Sequence, residues 1–245
     1  MKCAVLISLY NAEKTLNKTF ESLKKQTFQD FRIIAINDYS TDHTLNLLKE
    51  WQETLGKERL LIINNEVNIG LTKSLNKGLV VITEPYTARI DADDWWDTKK
   101  LEKQIDYLEK YPQYGIIGTW YKNISSRGEQ KVTPPVKNGD IKKSIFKNNP
   151  FAHSCVVFKT NIVKEAGLYD ENIRYGQDYD LWLRLFQTTS FANIPEFLCS
   201  RSIEGTLTSS GKNQSKQMFQ CVRTQLKYLK LYNQPIFKYG FIIEP

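Results

Sequence analysis

The sequence predicts an α/β protein built on a mostly parallel, Rossmann-like sheet flanked by helices. Apolar, β-branched strand signals alternate with helix-spaced apolar residues through the first half, and every strand signal ends in polar residues. Such alternation builds parallel sheets joined by right-handed crossovers. It also gathers the carboxyl ends of the strands on one edge, where open α/β sheets place ligands. With 245 residues, 41% of them hydrophobic, the chain can bury a sizeable core.

Each element follows from its own residues. Residues 3–8 predict a buried strand, and 12–25 a helix with Leu16, Phe20 and Leu23 on one face. Residues 31–36 repeat the strand signal and break at Asn37-Asp38-Tyr39-Ser40. Asp42 or Thr41 then caps a helix whose apolar face includes Leu45, Leu48 and Trp51. A third strand covers 60–63, and a loop through Asn68 and Gly70 leads to a helix over 71–81. A fourth strand over 86–90 ends in Asp91-Ala92-Asp93-Asp94, followed by a helix over 99–111. The second half changes character. It predicts a strand over 115–121, a polar, turn-rich stretch to Pro134-Pro135, and a strand over 154–158. A short helix over 162–166 ends at Gly167, and another opens at Gly176-Gln177-Asp178. Two short strands, 191–194 and 197–201, precede a terminal helix over 216–231. No repeat, low-complexity tract or linker interrupts the chain, which predicts a single domain over 1–245.

Composition narrows the function classes. The formal charge of +7 suits an anionic partner, but the basic residues are dispersed and form no arginine-rich arm, which argues against nucleic acid. No apolar run has the length of a signal peptide or membrane span. Cys3, Cys155, Cys199 and Cys221 are scattered without metal-ligand spacing, so reduced, mostly buried thiols in a cytoplasmic protein are expected. Near the end, Lys227-Tyr228-Leu229-Lys230-Leu231-Tyr232 and Phe237-Lys238-Tyr239-Gly240-Phe241 interleave lysines with aromatics. That pattern suits either peripheral contact with a membrane interface or a solvated helix with one apolar face.

The chemistry concentrates at the strand ends. Three carboxylates within four positions, Asp91, Asp93 and Asp94, repel one another and resist leaving water without a counter-charge. A hard divalent cation, Mn²⁺ or Mg²⁺, is the usual counter-charge, bound through one or two carboxylates and substrate phosphates. The alternative is an acidic turn that caps the next helix. Ser8 and Tyr10, Asn37 and Asp38, and Asn68 share the same predicted edge, which no single helix cap explains.

Taken in order, Ser8-Leu9-Tyr10-Asn11, Asn37 to Asp42, Asn68-Ile69-Gly70-Leu71, Asp91-Ala92-Asp93-Asp94 and Gln177-Asp178 resemble the family 2 inverting glycosyltransferases of GT-A fold. The resemblance implies a nucleotide-binding half over 1–120, an acceptor-side half over 121–210, and a C-terminal helix and tail over 211–245. It implies that Ser8, Tyr10 and Asp38 hold the base and ribose of a UDP-sugar, with Tyr10 stacked on the base and Asp38 accepting its imide N–H. Asn68, Lys73 and Ala92 line the nucleotide sugar, Asp91 holds the ribose or the metal's waters, and Asp93 ligates the metal. Arg201 pairs with the diphosphate, a role suited to a guanidinium. Asp178 is the implied general base. Gln177, His153 and Trp95 lie on the acceptor side.

The chain departs from the family pattern twice. Gln177 stands where relatives carry Glu, and Glu204 stands about where they carry His. The first departure bears on acceptor choice; the second leaves open whether Glu204 replaces a metal ligand. The implied activity is inverting transfer of a hexose or N-acetylhexosamine from a UDP-sugar to a saccharide or lipid-linked saccharide, in cell-surface glycan assembly at the inner membrane face. Two alternatives remain at this stage: a sugar-nucleotide-binding protein without turnover, or a sugar nucleotidyltransferase. The latter usually has a glycine-rich phosphate loop after the first strand, where this chain has Leu9-Tyr10-Asn11-Ala12-Glu13.

Overall fold

The computed structural model describes residues 1–203 and 211–235; Glu204 and the segment from Phe237 to Phe241 lie outside the described residues. The first half alternates as predicted: β1 (Cys3–Leu9), α1 (Leu16–Lys24), β2 (Phe31–Asn37), α2 (Thr44–Leu55), β3 (Leu60–Asn64), α3 (Leu71–Val81) and β4 (Tyr86–Arg89). These four strands pair in parallel, β1 with β2 and β4, and β2 with β3. There follow β5 (Trp95–Trp96), α4 (Lys100–Lys110), β6 (Tyr114–Ser125), β7 (Gly128–Val132) and α5 (Asn138–Ser144). The chain continues through β8 (Val157–Lys159), α6 (Thr160–Glu165), α7 (Gln177–Arg184), β9 (Ser190–Ser202) and α8 (Gly211–Leu231). The sheet runs β3-β2-β1-β4-β8-β6-β9-β5, with β7 attached to β6. β8 enters antiparallel between β4 and β6, and β9 lies parallel to β6.

Side-chain alternation along β1 explains the two-sided core. Cys3, Val5, Ile7 and Leu9 join one apolar cluster with α1, α2 and α4. Ala4 and Leu6 face the opposite cluster, which α3 and α5–α8 cover. α3 sits so close that a Cβ on Gly78 would lie 2.3 Å from Leu6 Cδ1. Any side chain there would push the Leu6 and Ile36 termini out of their packing.

Several boundaries differ from the sequence reading for identifiable reasons. α1 starts at Leu16, after a turn in which the Thr15 and Leu16 N–H groups bond the Ala12 carbonyl. The N–H groups of Ala12 and Glu13 meanwhile bond Thr44 Oγ1 and Asp42 Oδ2 across the neighbouring loop. The two predicted strands over 191–201 form one, β9, whose register against β6 shifts between Ile194 and Phe197. Pro195 in that interval has no N–H for a ladder bond, so the strand bulges rather than ends. The turn-rich stretch holds a polar hairpin, β6–β7, and α5, neither of which carries an alternating apolar signal. Residues 153–155 form a 3₁₀ turn, so the strand expected at 154 begins at Val157. The two-residue β5 went unpredicted. Asp42 does serve α2, accepting the Thr44 N–H at 2.9 Å. Cys3, Cys155, Cys199 and Cys221 are free thiols, the first three buried.

The basic aromatic stretch over 227–232 turns inward. Tyr228 and Leu229 are buried, and Tyr232 packs against Phe146 and Phe186. Among the described residues, no helix is long and apolar enough to cross a membrane.

Candidate active site

Parallel registry brings four strand ends to one edge: Leu9 pairs with Asn37, Asn37 with Asn64, and Leu6 with Arg89. The loops after β1 and β2 are tied together. Asn11 N–H donates to Ser40 Oγ, and Thr41 N–H to Asn11 Oδ1, at 3.0 and 2.8 Å. Asn11 and Tyr39 both take left-handed φ values, 51° and 59°, the turns that make this exchange possible. Between them Tyr10 stands 49% exposed, its ring open to a flat ligand.

Asp38 sits lower, only 2% exposed. Its Oδ1 accepts from Asn65 Nδ2 and the Ile69 N–H, and its Oδ2 accepts the Gly70 N–H, all within 2.9 Å. Asp38 thus anchors the loop that carries Asn68 and opens α3, a role invisible in sequence. Oδ2, bonded to the Gly70 N–H, keeps a second lone pair. Asn68 and Lys73 are exposed beyond that anchor, Lys73 on the first turn of α3.

The acidic turn is held from three sides. Thr19 of α1 donates to the carbonyls of Ala92 and Asp94 at 3.0 and 2.8 Å. Ser154 accepts the Asp91 N–H at 2.9 Å and donates to Asp91 Oδ2 at 2.8 Å. Arg89 is fully buried and ion-pairs through Nη2 with Asp91 Oδ1. Burial works against ionisation of Asp91, but the Arg89 guanidinium overcomes it and holds the carboxyl well below the usual range. Asp94 accepts the Ser202 N–H at 2.9 Å, and Arg201 Nε lies 3.9 Å from its Oδ2. Burial, then the Asp91 and Asp93 charges, push Asp94 upward.

Asp93 differs from both neighbours. Among the described residues no side chain hydrogen-bonds or ion-pairs with it, and burial together with Asp91 raises it to about 6. A hard oxygen anion without a basic partner suits a divalent cation. No set of three His, Cys, Asp or Glu side chains converges on one point among the described residues. The residues therefore fit a cation shared with substrate phosphates and water rather than one caged by protein. Behind the turn, Trp96 donates Nε1–H to the Ser154 carbonyl at 2.8 Å, with the buried Lys100 ammonium 3.8 Å from its ring. Trp95 faces outward under Lys18, 3.0 Å from the ring centroid.

Asp178 begins the opposite wall. It is the second residue of α7, whose preceding Gly176 is left-handed at φ 70°. Asn149 Nδ2 donates to Asp178 Oδ2 at 2.8 Å. Burial raises the carboxyl, and the Tyr179 N–H and Asn149 partly offset it. A raised carboxylate can accept a proton near neutrality more readily than a free one. Gln177 is buried beside it. His153 Nε2 lies 2.8 Å from Tyr169 Oη, and burial followed by Arg89 drives its pKa well down, so the imidazole is neutral. Only Nδ1 is left for an acceptor. The structure thus gathers Asp91, Asp93, Asp94 and Arg201 in one group and places Tyr10, Asp38 and Asn68 on the loops after β1, β2 and β3, with Asp178 at the start of α7 within reach of the Arg201 charge. Arg89, Ser154, Thr19 and Asn149 support them and were not foreseen as site residues.

The fold and this arrangement have known counterparts. Residues 4–166 match the family described as Glycosyl transferase family 2. The amylovoran biosynthesis glycosyltransferase AmsE of Erwinia amylovora is 36% identical over 200 residues, 80% of this chain and 74% of its own. A UDP-Glc:α-D-GlcNAc-diphosphoundecaprenol β-1,3-glucosyltransferase, WfaP of Escherichia coli, is 26% identical over 74% of this chain and 69% of its own. Among solved structures, S. aureus TarS 1-349 with UDP-GlcNAc superposes with a TM-score of 0.77 at 20% identity, over 94% of this chain. The chain spans 66% of that TarS fragment. The mannosyltransferase PcManGT of Pyrobaculum calidifontis, with GDP-Man and Mn²⁺, gives a TM-score of 0.68 at 13% identity, over 95% of this chain and 75% of its own. A GT-A fold, a family match over most of the chain and glycosyltransferase relatives lead to one conclusion: the chain is an enzyme of glycosyltransferase family 2.

Proposed function

We propose that this glycosyltransferase transfers a hexose or N-acetylhexosamine from a UDP-sugar to a saccharide, with inversion and with a divalent metal. The observation that carries the reading is the pair of separated carboxylate stations. Asp93 lies unpaired in the acidic turn, while Asp178 is elevated and oriented by Asn149 at the start of α7. One carboxylate on the acceptor wall is what single displacement requires. Asp178 takes the proton of the acceptor hydroxyl as its oxygen bonds to the anomeric carbon, and the bond from that carbon to the diphosphate oxygen breaks. Asp93, with Asp91, would hold the metal, which when bound neutralises charge on the departing UDP. Arg201, beside the same turn, adds a fixed positive charge for the diphosphate. Tyr10 supplies a stacking face for the base, and the free lone pair of Asp38 Oδ2 an acceptor for its imide.

In this reading residues 1–120 hold the nucleotide, residues 121–210 receive the acceptor, and the whole chain forms one domain. The names of AmsE, in amylovoran biosynthesis, and WfaP, with a diphosphoundecaprenol-linked acceptor, support a saccharide acceptor carried on a lipid, which this reading assigns to cell-surface glycan assembly at the inner membrane face. The test is UDP release from a panel of UDP-sugars with saccharide acceptors, with and without Mn²⁺. Metal-dependent release from one donor, abolished by Asp93→Ala, is the expected result. Absence of nucleotide binding by the folded protein in the presence of Mn²⁺ would overturn the reading.

A further inference from the structure

α8 has an outer face that the transfer reading leaves unused. Its 21 residues contain no Asp or Glu. Lys216, Arg223 and Lys230 recur every seven residues and are all exposed, so they form one stripe along the helix. Phe219 and Leu226 recur at the same interval on the adjoining stripe. Phe219 is 71% exposed and Leu226 40%, values at odds with a solvated face. The inner face is engaged from Thr224 onward. Tyr228 Oη donates to Asp180 of α7 at 2.9 Å, and Gln225 Nε2 to the Lys147 carbonyl at 3.1 Å.

We infer that the outer face of α8 is a docking surface for an anionic lipid bilayer. An apolar stripe flanked by a cationic one, with no acid on the helix itself, is the pattern by which interfacial helices lie in a headgroup region. Phe219 and Leu226 enter the acyl boundary, and Lys216, Arg223 and Lys230 meet the anionic headgroups. α8 is bonded directly to α7, the helix that begins with Gln177-Asp178, so a bilayer held by α8 sits against the acceptor-side half. This surface stands on the residues of α8 alone and needs no assumption about donor, metal or acceptor.

The experiment is sedimentation of the full chain with vesicles of phosphatidylcholine alone or with 30% phosphatidylglycerol (about one anionic lipid in three), in low and high salt, without substrates. Two variants are compared, Lys216→Glu/Arg223→Glu/Lys230→Glu and Phe219→Ser/Leu226→Ser, with far-ultraviolet dichroism and light scattering to follow fold and oligomeric state. The expected result is binding to the anionic vesicles that salt weakens, at least about tenfold weaker in the charge-reversed variant and weaker in the serine variant. No binding by the parent, or binding by both folded variants equal to the parent's, overturns the inference. So does a parent dimer that the serine variant splits while vesicles capture neither, which would assign the face to a second copy. None of these outcomes bears on UDP release, so the two readings fail separately.

Discussion

The two carboxylate stations of the cleft are built in opposite ways. The acidic turn after β4 crowds three carboxylates and is braced by a buried arginine, a serine and a threonine that come from three different elements. Asp178 stands alone at a helix start and is held by one amide, Asn149. Crowding splits the first group. Arg89 keeps Asp91 ionised while its neighbours are pushed up, which leaves Asp93 as the group most in need of an external cation. Burial tunes the second upward, and the Tyr179 N–H, Asn149 and the Arg201 charge partly offset it. In the proposed mechanism one station holds charge and the other exchanges a proton.

Substitutions should separate these roles. The largest effect is expected from Asp178→Asn, a fall in kcat of about 10²–10⁴ with transfer assays as the readout, because the amide cannot accept the proton. Asp93→Ala should lower transfer on the order of 10²-fold and remove its response to added Mn²⁺, measured by titrating the metal. Asn149→Ala sharpens the comparison from the acceptor side. It should lower kcat roughly tenfold through loss of one charge-assisted bond, with KM for the donor unchanged. Arg89→Met strikes the other station and should lower stability. Removing one partner of a buried pair costs about 3–5 kcal/mol; Asp91 keeps part of its surface in water, so about 2–3 kcal/mol is expected here, a fall in Tm of roughly 5–10 °C by calorimetry.

The smallest effect is remote from both stations. Glu84 is buried and paired with Arg32; burial opposes its ionisation, but the Arg32 bond wins and its pKa lies below the ordinary 4.5. A depressed acid favours the folded state above its unfolded pKa and loses that contribution as pH falls through the folded value. Urea unfolding should therefore show Glu84→Gln less stable than the parent at pH 7, with the gap closing below about pH 4.5.

Much of this was legible because strand ends announce themselves. The polar breaks after β1, β2 and β4 named Ser8, Tyr10, Asp38 and the acidic turn before any coordinates, and the Gln177-Asp178 pair marked the start of α7. The supports were not legible, because each reaches its partner across a long stretch of chain. Ser154 meets Asp91 from 63 residues away, Thr19 meets Asp94 from 75, and Asn149 meets Asp178 from 29. Arg89 looked like the end of a strand, and nothing in its neighbours showed that its side chain would be buried under the site. The outward face of α8 was obscured for a related reason: lysine and aromatic residues at 227–232 suggested an interface, yet the aromatics there pack inward and the most exposed aromatic of the helix, Phe219, lies about two turns before that stretch.

The most direct test sets the two stations side by side. UDP is titrated into the parent, Asp93→Ala and Asp178→Asn by calorimetry, with and without Mn²⁺, and transfer is measured on the same samples. The account predicts that Asp178→Asn keeps the parent's metal-dependent UDP affinity while losing turnover, and that Asp93→Ala loses both. Transfer by Asp178→Asn at the parent rate, or a loss of nucleotide affinity equal to that of Asp93→Ala, would contradict it.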